Sequence, residues 1–449
     1  MTARTIISTI LLLLSLLSAD CIGAGWKYVA PMPNGRYGHD AALGNDGKIY
    51  VMGGGVYNYI LIRKYNDGEF SNMVYDPVKN AWEVLEPVPG KIKNPDDYYY
   101  YDTAEKYWIA VKTIQDRPGY YKAYGPKKEI DRIIQIPPEK LRNTDYQRQG
   151  DGAAIAVSKD GRIYWTGGKG LWKGSGENIV LPYDPVTMKW PETTFEVVNQ
   201  TLTYRRVKTV HQTDIPPMLE RRIDHEAVAL PDGRIFVLGG YHIILEMGRD
   251  NQFQSTGKTE FLSSIECYDP VKNTWEFKKP MSGKRVLFAA VLGRDNKIYI
   301  FGGGDKSDRT TGKRFIYQTT EVYDPATDTW ECRAPMPEPR FSVSGALGAD
   351  GRIYIMGGSL GQWGSPPLND VFIYDPVTDT WEKGPSMQLP RSTLAAVSTP
   401  DGKIYAIGGT DAGAYKIKQT INEFFTIKDK HKLYDGKVQE TVEMLDTAK

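Results

Sequence analysis

The sequence predicts an all-β chain in which one four-stranded unit is written six times and closed into a ring. Three observations carry that expectation. A short strand ending in two glycines recurs at 46–54, 160–168, 232–240, 295–303, 350–358 and 401–409. A turn-and-tryptophan signature follows the first five copies, at 76–82, 184–190, 269–275, 324–330 and 375–381. Gly (45), Tyr (29) and Trp (10) are all abundant among the 449 residues, which favours turns and strands over helices. Length alone would suggest about three domains. A fixed internal period overrides that division, because each repeat buries its faces against its neighbours.

Each element of the unit has a physical reason. Asp-Gly, once Asp-Asn at 295–296, makes a tight hairpin between strands one and two, since these residues tolerate φ > 0. Alternating Ile and Tyr or Phe build strand two, as in DGRIYIMGG at 350–358. The glycine pair removes side chains where backbones crowd. Tyr-Asp-Pro starts the turn between strands three and four, with Pro fixing φ. The tryptophan opens strand four and offers a large apolar face to the next unit.

Six diglycines with five downstream Asp-Pro…Trp units resemble the kelch repeat, and the resemblance covers nearly all of residues 25–449. It implies a six-bladed kelch-type β-propeller of the galactose oxidase-like superfamily, one sheet per repeat around a channel. The sixth unit lacks its Asp-Pro…Trp. Its third strand is expected at 441–446, which matches 320–324. Its fourth is expected at Trp26-Lys27-Tyr28, followed by Pro31-Met32-Pro33 as Trp330 is by Pro335-Met336-Pro337. An N-terminal strand carrying Trp26 thus closes the last blade.

Residues 1–24 read as a signal peptide. Arg4 supplies the positive start, 6–17 are almost unbroken apolar residues, and Ser18, Ala19, Gly23 and Ala24 are small. Such a run is too short to span a bilayer, and no other stretch is long enough. The mature protein is expected to be extracytoplasmic, secreted or periplasmic, without a membrane span. Asp20 before Cys21 argues against a lipid anchor there. Lys+Arg of 56 against Asp+Glu of 55 argues against a nucleic-acid partner. Three cysteines build no disulfide framework, and Cys267 and Cys332, on outer strands of successive blades, are expected to stay apart. Asn199-Gln200-Thr201 is a glycosylation sequon.

The turns between strands one and two, and the Asp-Pro turns, are minimal. All the extra length falls after the diglycine or after strand four, in 55–71, 90–148, 169–181, 191–220, 241–263, 304–318 and 410–439. In an up-and-down blade those connections share one end, so one face is built up and the other plain. Long connections are where function concentrates. The longest insertion, about 90–148, carries Tyr98, Tyr99, Tyr100, Tyr101, Trp108, Tyr120 and Tyr121 among charged residues, a composition suited to a protein or glycan ligand. A self-packed cap is the other reading of those aromatics.

Ten residues before each hairpin Asp stand Arg36, Arg222, Arg285, Arg340 and Arg391, while the second repeat has Gly150. The resemblance implies that this position lies near the channel mouth, where a guanidinium ring would favour carboxylates, phosphates or acidic peptides. The other reading is that these arginines bond to neighbouring carbonyls and acids.

Chemistry has little support. His39 and His225 occupy equivalent strand-one positions and read as structural. No His-x-x-x-His or Cys-x-x-Cys spacing occurs, so no metal or cofactor is expected. Galactose oxidase, a kelch comparison, needs a Tyr-His pair and a cross-linked cysteine, and only Tyr241-His242 offers the first. Asp96 and Asp97 read as a solvated loop. Two functions remain. One is a recognition module binding an anionic peptide, protein or glycan on the loop-rich face. The alternative is a sugar mutarotase or epimerase acting on an acidic sugar such as N-acetylneuraminate, which resembles the six-bladed kelch sialic-acid mutarotases in blade number, signal peptide and channel arginines.

Overall fold

A computed structural model describes residues 25–33, 35–55, 72–85, 97–102, 107–113, 120–124, 133–135, 141–142, 152–168, 180–190, 215–247, 253–305, 315–361, 365–410 and 440–448. The expected signal peptide at 1–24, with Cys21, and Asp96, Gly150, the Asn199 sequon, His211 and His431 lie outside them. The described residues form strands and no helix, in six radially arranged sheets with one further five-stranded sheet and one two-stranded ribbon.

The first strands run Tyr37–Leu43, Ala153–Val157, Glu226–Ala229, Ala289–Leu292, Ser344–Leu347 and Ala395–Ser398 in blades 1 to 6. Each contacts the first strand of both neighbouring blades, and the sixth contacts the first, so the ring is closed. Strands two, three and four follow outward in antiparallel order. Blade 6 takes its fourth strand from the N-terminus. Lys27–Val29 pairs with Val442–Asp446, Lys27 opposite Met444 and Val29 opposite Val442, as expected from the sequence.

In blade 2 three strands and an Asp184–Lys189 bridge are described, and the residues expected to continue from Trp190 into its fourth strand lie outside the described residues. The hairpin turns differ from the expectation in detail. Only Gly47, Gly161, Gly233, Gly351, Gly402 and Asn296 adopt positive φ; the aspartate does not. Its carboxylate instead accepts the strand-two hydroxyl four residues on, from Tyr50 to Asp46, Tyr164 to Asp160, Tyr299 to Asp295 and Tyr354 to Asp350, at 2.9–3.0 Å. Blade 3 has Phe236 at that position, and Asp232 pairs with Arg234.

Tryptophans staple successive blades. The indole N–H of Trp82 donates to Ala30 O at 2.8 Å, Trp330 to Lys279 O at 2.8 Å, Trp381 to Ala334 O at 2.9 Å and Trp26 to Pro385 O at 2.8 Å. Each acceptor lies just past the fourth strand of the preceding blade. The turn residue two before the Trp completes the joint. Asn80, Asp328 and Asp379 sit at φ of 49–55°, where the left-handed backbone favours Asn and Asp. Their side chains accept the N–H of Ala30, Lys279 and Ala334 across the blade boundary. The core follows the same rule. Tyr50, Met52 and Val74 of blade 1 pack on Ile155, Trp165 and Leu181 of blade 2, and Val397, Tyr405 and Ile407 of blade 6 pack on Ile49, Val51 and Met73 of blade 1.

The insertion after blade 1 is a sheet rather than a loop. Asp97–Asp102, Tyr107–Thr113, Tyr120–Tyr124, Ile133–Gln135 and Leu141–Arg142 make five strands, with Leu141–Arg142 pairing the outer side of Asp97–Asp102. A further two-stranded ribbon, Tyr241–Met247 with Phe253–Phe261, rises from the connection after the third diglycine.

Candidate functional site

The five predicted arginines do hold equivalent positions, at the entry to strand one, but their side chains are 0–1% exposed. The expected open guanidinium ring is therefore corrected to a set of buried joints. Four of them donate to the carbonyl of the first glycine of their own blade's diglycine: Arg36 to Gly53 at 2.9 Å, Arg222 to Gly239 at 2.7 Å, Arg285 to Gly302 at 3.0 Å and Arg391 to Gly408 at 2.8 Å. Their own carbonyls receive the second glycine's N–H of the preceding blade, as in Gly240 to Arg285, Gly303 to Arg340 and Gly409 to Arg36 at 2.7–2.8 Å. A Cβ on the first glycine would stand 2.5 Å from Arg340 O at Gly302 and 2.4 Å from Arg391 O at Gly357. The diglycine thus exists to admit the next blade's arginine backbone.

Charge is met locally. Buried strand-three glutamates neutralise three of the arginines, Glu266 for Arg222, Glu321 for Arg285 and Glu443 for Arg391. Glu266 also accepts the N–H of Leu219 and Glu220, and Glu443 those of Gln388 and Leu389. Arg340 has Phe372 where the others have glutamate. Its guanidinium lies 4.8 Å from that ring centroid and pairs with Glu338 and Asp370. Burial presses the Arg340 and Arg285 pKa values downward, against the nearby acids.

Two residues beyond each arginine position lies a feature that sequence reasoning missed. Gly38, Gly152, Asp224, Leu287, Ser342 and Thr393 are joined by a closed circle of backbone hydrogen bonds, each N–H donating to the carbonyl of the preceding blade's member at 2.8–3.4 Å. All six adopt φ of 53–72°, four of them without being glycine. That conformation turns N–H and C=O sideways along the ring. The circle lies at the start of the first strands, the end toward which the long connections are expected to project. A sequence signal existed only at Gly38 and Gly152, which stand at the same repeat offset.

A shallow cavity of about 420 Å³ lies at the hairpin end of the first strands, lined by Asn45, Val157, Ser158, Lys159, Ala229, Leu230, Pro231 and Leu292. Two residues inside the ring stand Asp40 and Glu226, both partly exposed. Asp40 accepts the N–H of Ala41 and, across the blade boundary, of Ile155, both at 2.7 Å. His39 and His225, one residue before each acid, are buried and held neutral. Burial first, then Arg36 or Arg222, lowers each imidazole to a pKa of about 3. His225 Nε2 shares a hydrogen bond with Thr166 Oγ1 at 2.9 Å, the structural role expected for it.

Of the insertion residues, Tyr98 to Tyr101 and Trp108 fall on paired strands, with Tyr99 opposite Ala110 and Tyr101 opposite Trp108. Tyr121 pairs with Thr113 on the next strand, beside Tyr120 opposite Gln135. Their side chains lie outside the described residues. Cys267 and Cys332 are both free thiols on strands three and four, and burial pushes Cys267 up to about 12. No cluster of three potential metal-ligating side chains occurs among the described residues.

Comparison with known proteins agrees with this geometry. A family model described as the KLHDC2/KLHL20/DRC7 Kelch-repeats domain matches residues 225–432. Kelch-like protein 26 of Danio rerio is 28% identical over 62% of this chain and 39% of its own length. Kelch-like protein terF of Aspergillus terreus is 26% identical over 61% of this chain and 52% of its own. Alpha-scruin of Limulus polyphemus is 27% identical over 47% of this chain and 22% of its own. The chain thus spans about half or less of each of these relatives.

Proposed function

The chain is a kelch-repeat β-propeller, and on that premise we propose that it is an extracytoplasmic protein-binding module whose docking surface is the built-up face. The observation that carries this reading is the larger apolar side chains exposed on that face; the plain face exposes single turn valines, Val78, Val186, Val271 and Val377, one in each of four Asp-Pro turns. Phe315, Leu360 and Leu219 are 64, 50 and 49% exposed. All three lie on connections after a diglycine or after strand four, so antiparallel order brings them to one end of the blades. Next to Phe315 in sequence, Ile316 packs on a buried cluster of Phe261, Val286 and Phe341. Exposed aromatic and aliphatic anchors are what a protein partner desolvates.

The buried arginines supply no open anion clamp. The anionic preference drew on such a clamp, and without it the sugar-mutarotase alternative is left with blade number and the leader, neither of which specifies a reaction. The extracytoplasmic placement rests on the leader at 1–24. Affinity capture from the extracytoplasmic fraction tests the whole reading, with wild type, a Phe315→Ser/Leu360→Ser variant and a variant lacking residues 91–147. Loss of at least tenfold of a captured protein in the double variant, at unchanged melting temperature, is expected. Equal capture by all three forms would sink the docking surface, and recovery of uncleaved protein from the cytoplasm would sink the location.

A further inference from the structure

Strand register sorts the five-stranded insertion into two unlike faces. Residues directly opposite one another on paired strands share a face, as do alternate residues along a strand. Tyr99 is opposite Ala110, and Ala110 is opposite Tyr124. Their face therefore also carries Tyr101, Trp108 and Tyr120, and with them the cations Lys112, Lys122 and Arg142; Asp97 is its one acid. The other face carries Tyr98, Tyr100, Ile109, Val111, Ala123 and Leu141, and no Lys or Arg. An antiparallel sheet patterned in this way buries the apolar face and leaves the charged one to water. Ala110 stands at the centre of the charged face, on Tyr107–Thr113, the middle strand of five. Tyr99 and Tyr124 lie one strand to either side of it, so the two tyrosine positions are about 10 Å apart. Trp108 and Lys112 lie two residues along the strand, about 7 Å in either direction. Arg142 is opposite Tyr99 on the far side, and Lys122 is opposite Lys112. The smallest residue of the face is thus framed by aromatic positions on three sides and a cation on the fourth.

We propose that this face of the inserted sheet binds an acidic polysaccharide of the uronate type, one sugar ring seated at Ala110 and its carboxylates met by Lys112, Lys122 and Arg142. Tyrosine and tryptophan offer large, stiff apolar surface to the C–H face of a sugar at a small entropy cost. Lysine and arginine supply charge-assisted hydrogen bonds to carboxylates. Three cations on one face and none on the other give the complementarity a direction. An extended peptide does not suit the position. Such peptides add to a sheet edge, and the backbone of the middle strand is already paired on both sides. A nucleic acid asks for a strongly basic chain, and the net charge here is +1. The site uses none of the residues of the Phe315 and Leu360 surface and does not rest on it.

Calorimetric titration of the intact protein with polygalacturonate tests this. Binding is expected. Fully methyl-esterified polygalacturonate, the same rings without charge, and poly-L-glutamate, the same carboxylates without rings, should each bind at least tenfold more weakly. Ala110→Tyr closes the gap between the tyrosine positions, removes no charge and suits a strand. It should lose at least tenfold in affinity at unchanged melting temperature, as should Lys112→Gln/Lys122→Gln. Phe315→Ser/Leu360→Ser should bind as the wild type does, so this site and the docking surface stand or fall separately. Absence of polygalacturonate binding, equal binding of poly-L-glutamate or of a single-stranded oligothymidylate, or wild-type affinity in Ala110→Tyr overturns the proposal. The comparison of ligands on the wild type decides the matter even if a variant fails to fold.

Discussion

The arginine at the head of each first strand makes two joints at once. Its guanidinium engages its own blade's glycine carbonyl, and its own carbonyl takes the previous blade's glycine N–H. Position in the repeat was legible in the sequence, but burial was not. An arginine ten residues before a hairpin reads the same whether it faces water or a buried glutamate. The decisive signal was a glutamate early in strand three, present as Glu266, Glu321 and Glu443 and replaced by Phe372 in blade 5. Removing one member of such a buried pair strands the other. Glu266→Ala should therefore cost about 3–5 kcal/mol in urea denaturation, more than the same change at the exposed Glu276. Equal, small losses at both positions would show that Arg222 finds water instead.

Between neighbouring blades, the Trp staple and the left-handed turn residue act together. The Asp-Pro…Trp signature announced a turn and an apolar face. It did not announce that the indole N–H and the Asn or Asp side chain both reach the preceding blade, because those partners come from about fifty residues away. Trp275 separates the two contributions, being 8% exposed and donating to Pro216 O at 2.9 Å. Trp275→Phe should cost about 1 kcal/mol, the net value of one hydrogen bond, and Trp275→Ala about 3–5 kcal/mol. Chemical denaturation of both variants checks this, and similar losses would mean that packing plays no separate part.

The ring closes twice, at its rim and at its axis. At the rim, Lys27–Val29 completes blade 6, and Trp26 and Met32 are 5 and 2% exposed. Deleting residues 25–33 should expose the edge of Val442–Asp446 and abolish the cooperative thermal transition, with aggregation visible in size-exclusion chromatography. A deletion variant that melts like the wild type would refute the closure. At the axis, six backbone hydrogen bonds join residues whose sequence neighbours share little beyond spacing.

Repeat number, blade architecture and the strand that closes the ring were legible in the sequence alone. These follow from local signals, namely turn chemistry, strand periodicity and the offsets between copies. Only the folded ring decided that the arginines are buried, that the longest insertion is a sheet, and that the first strands join in a circle of backbone hydrogen bonds. Each of these depends on which residues of different blades meet around an axis. Such distances arise only once the ring has closed, and no single repeat encodes them.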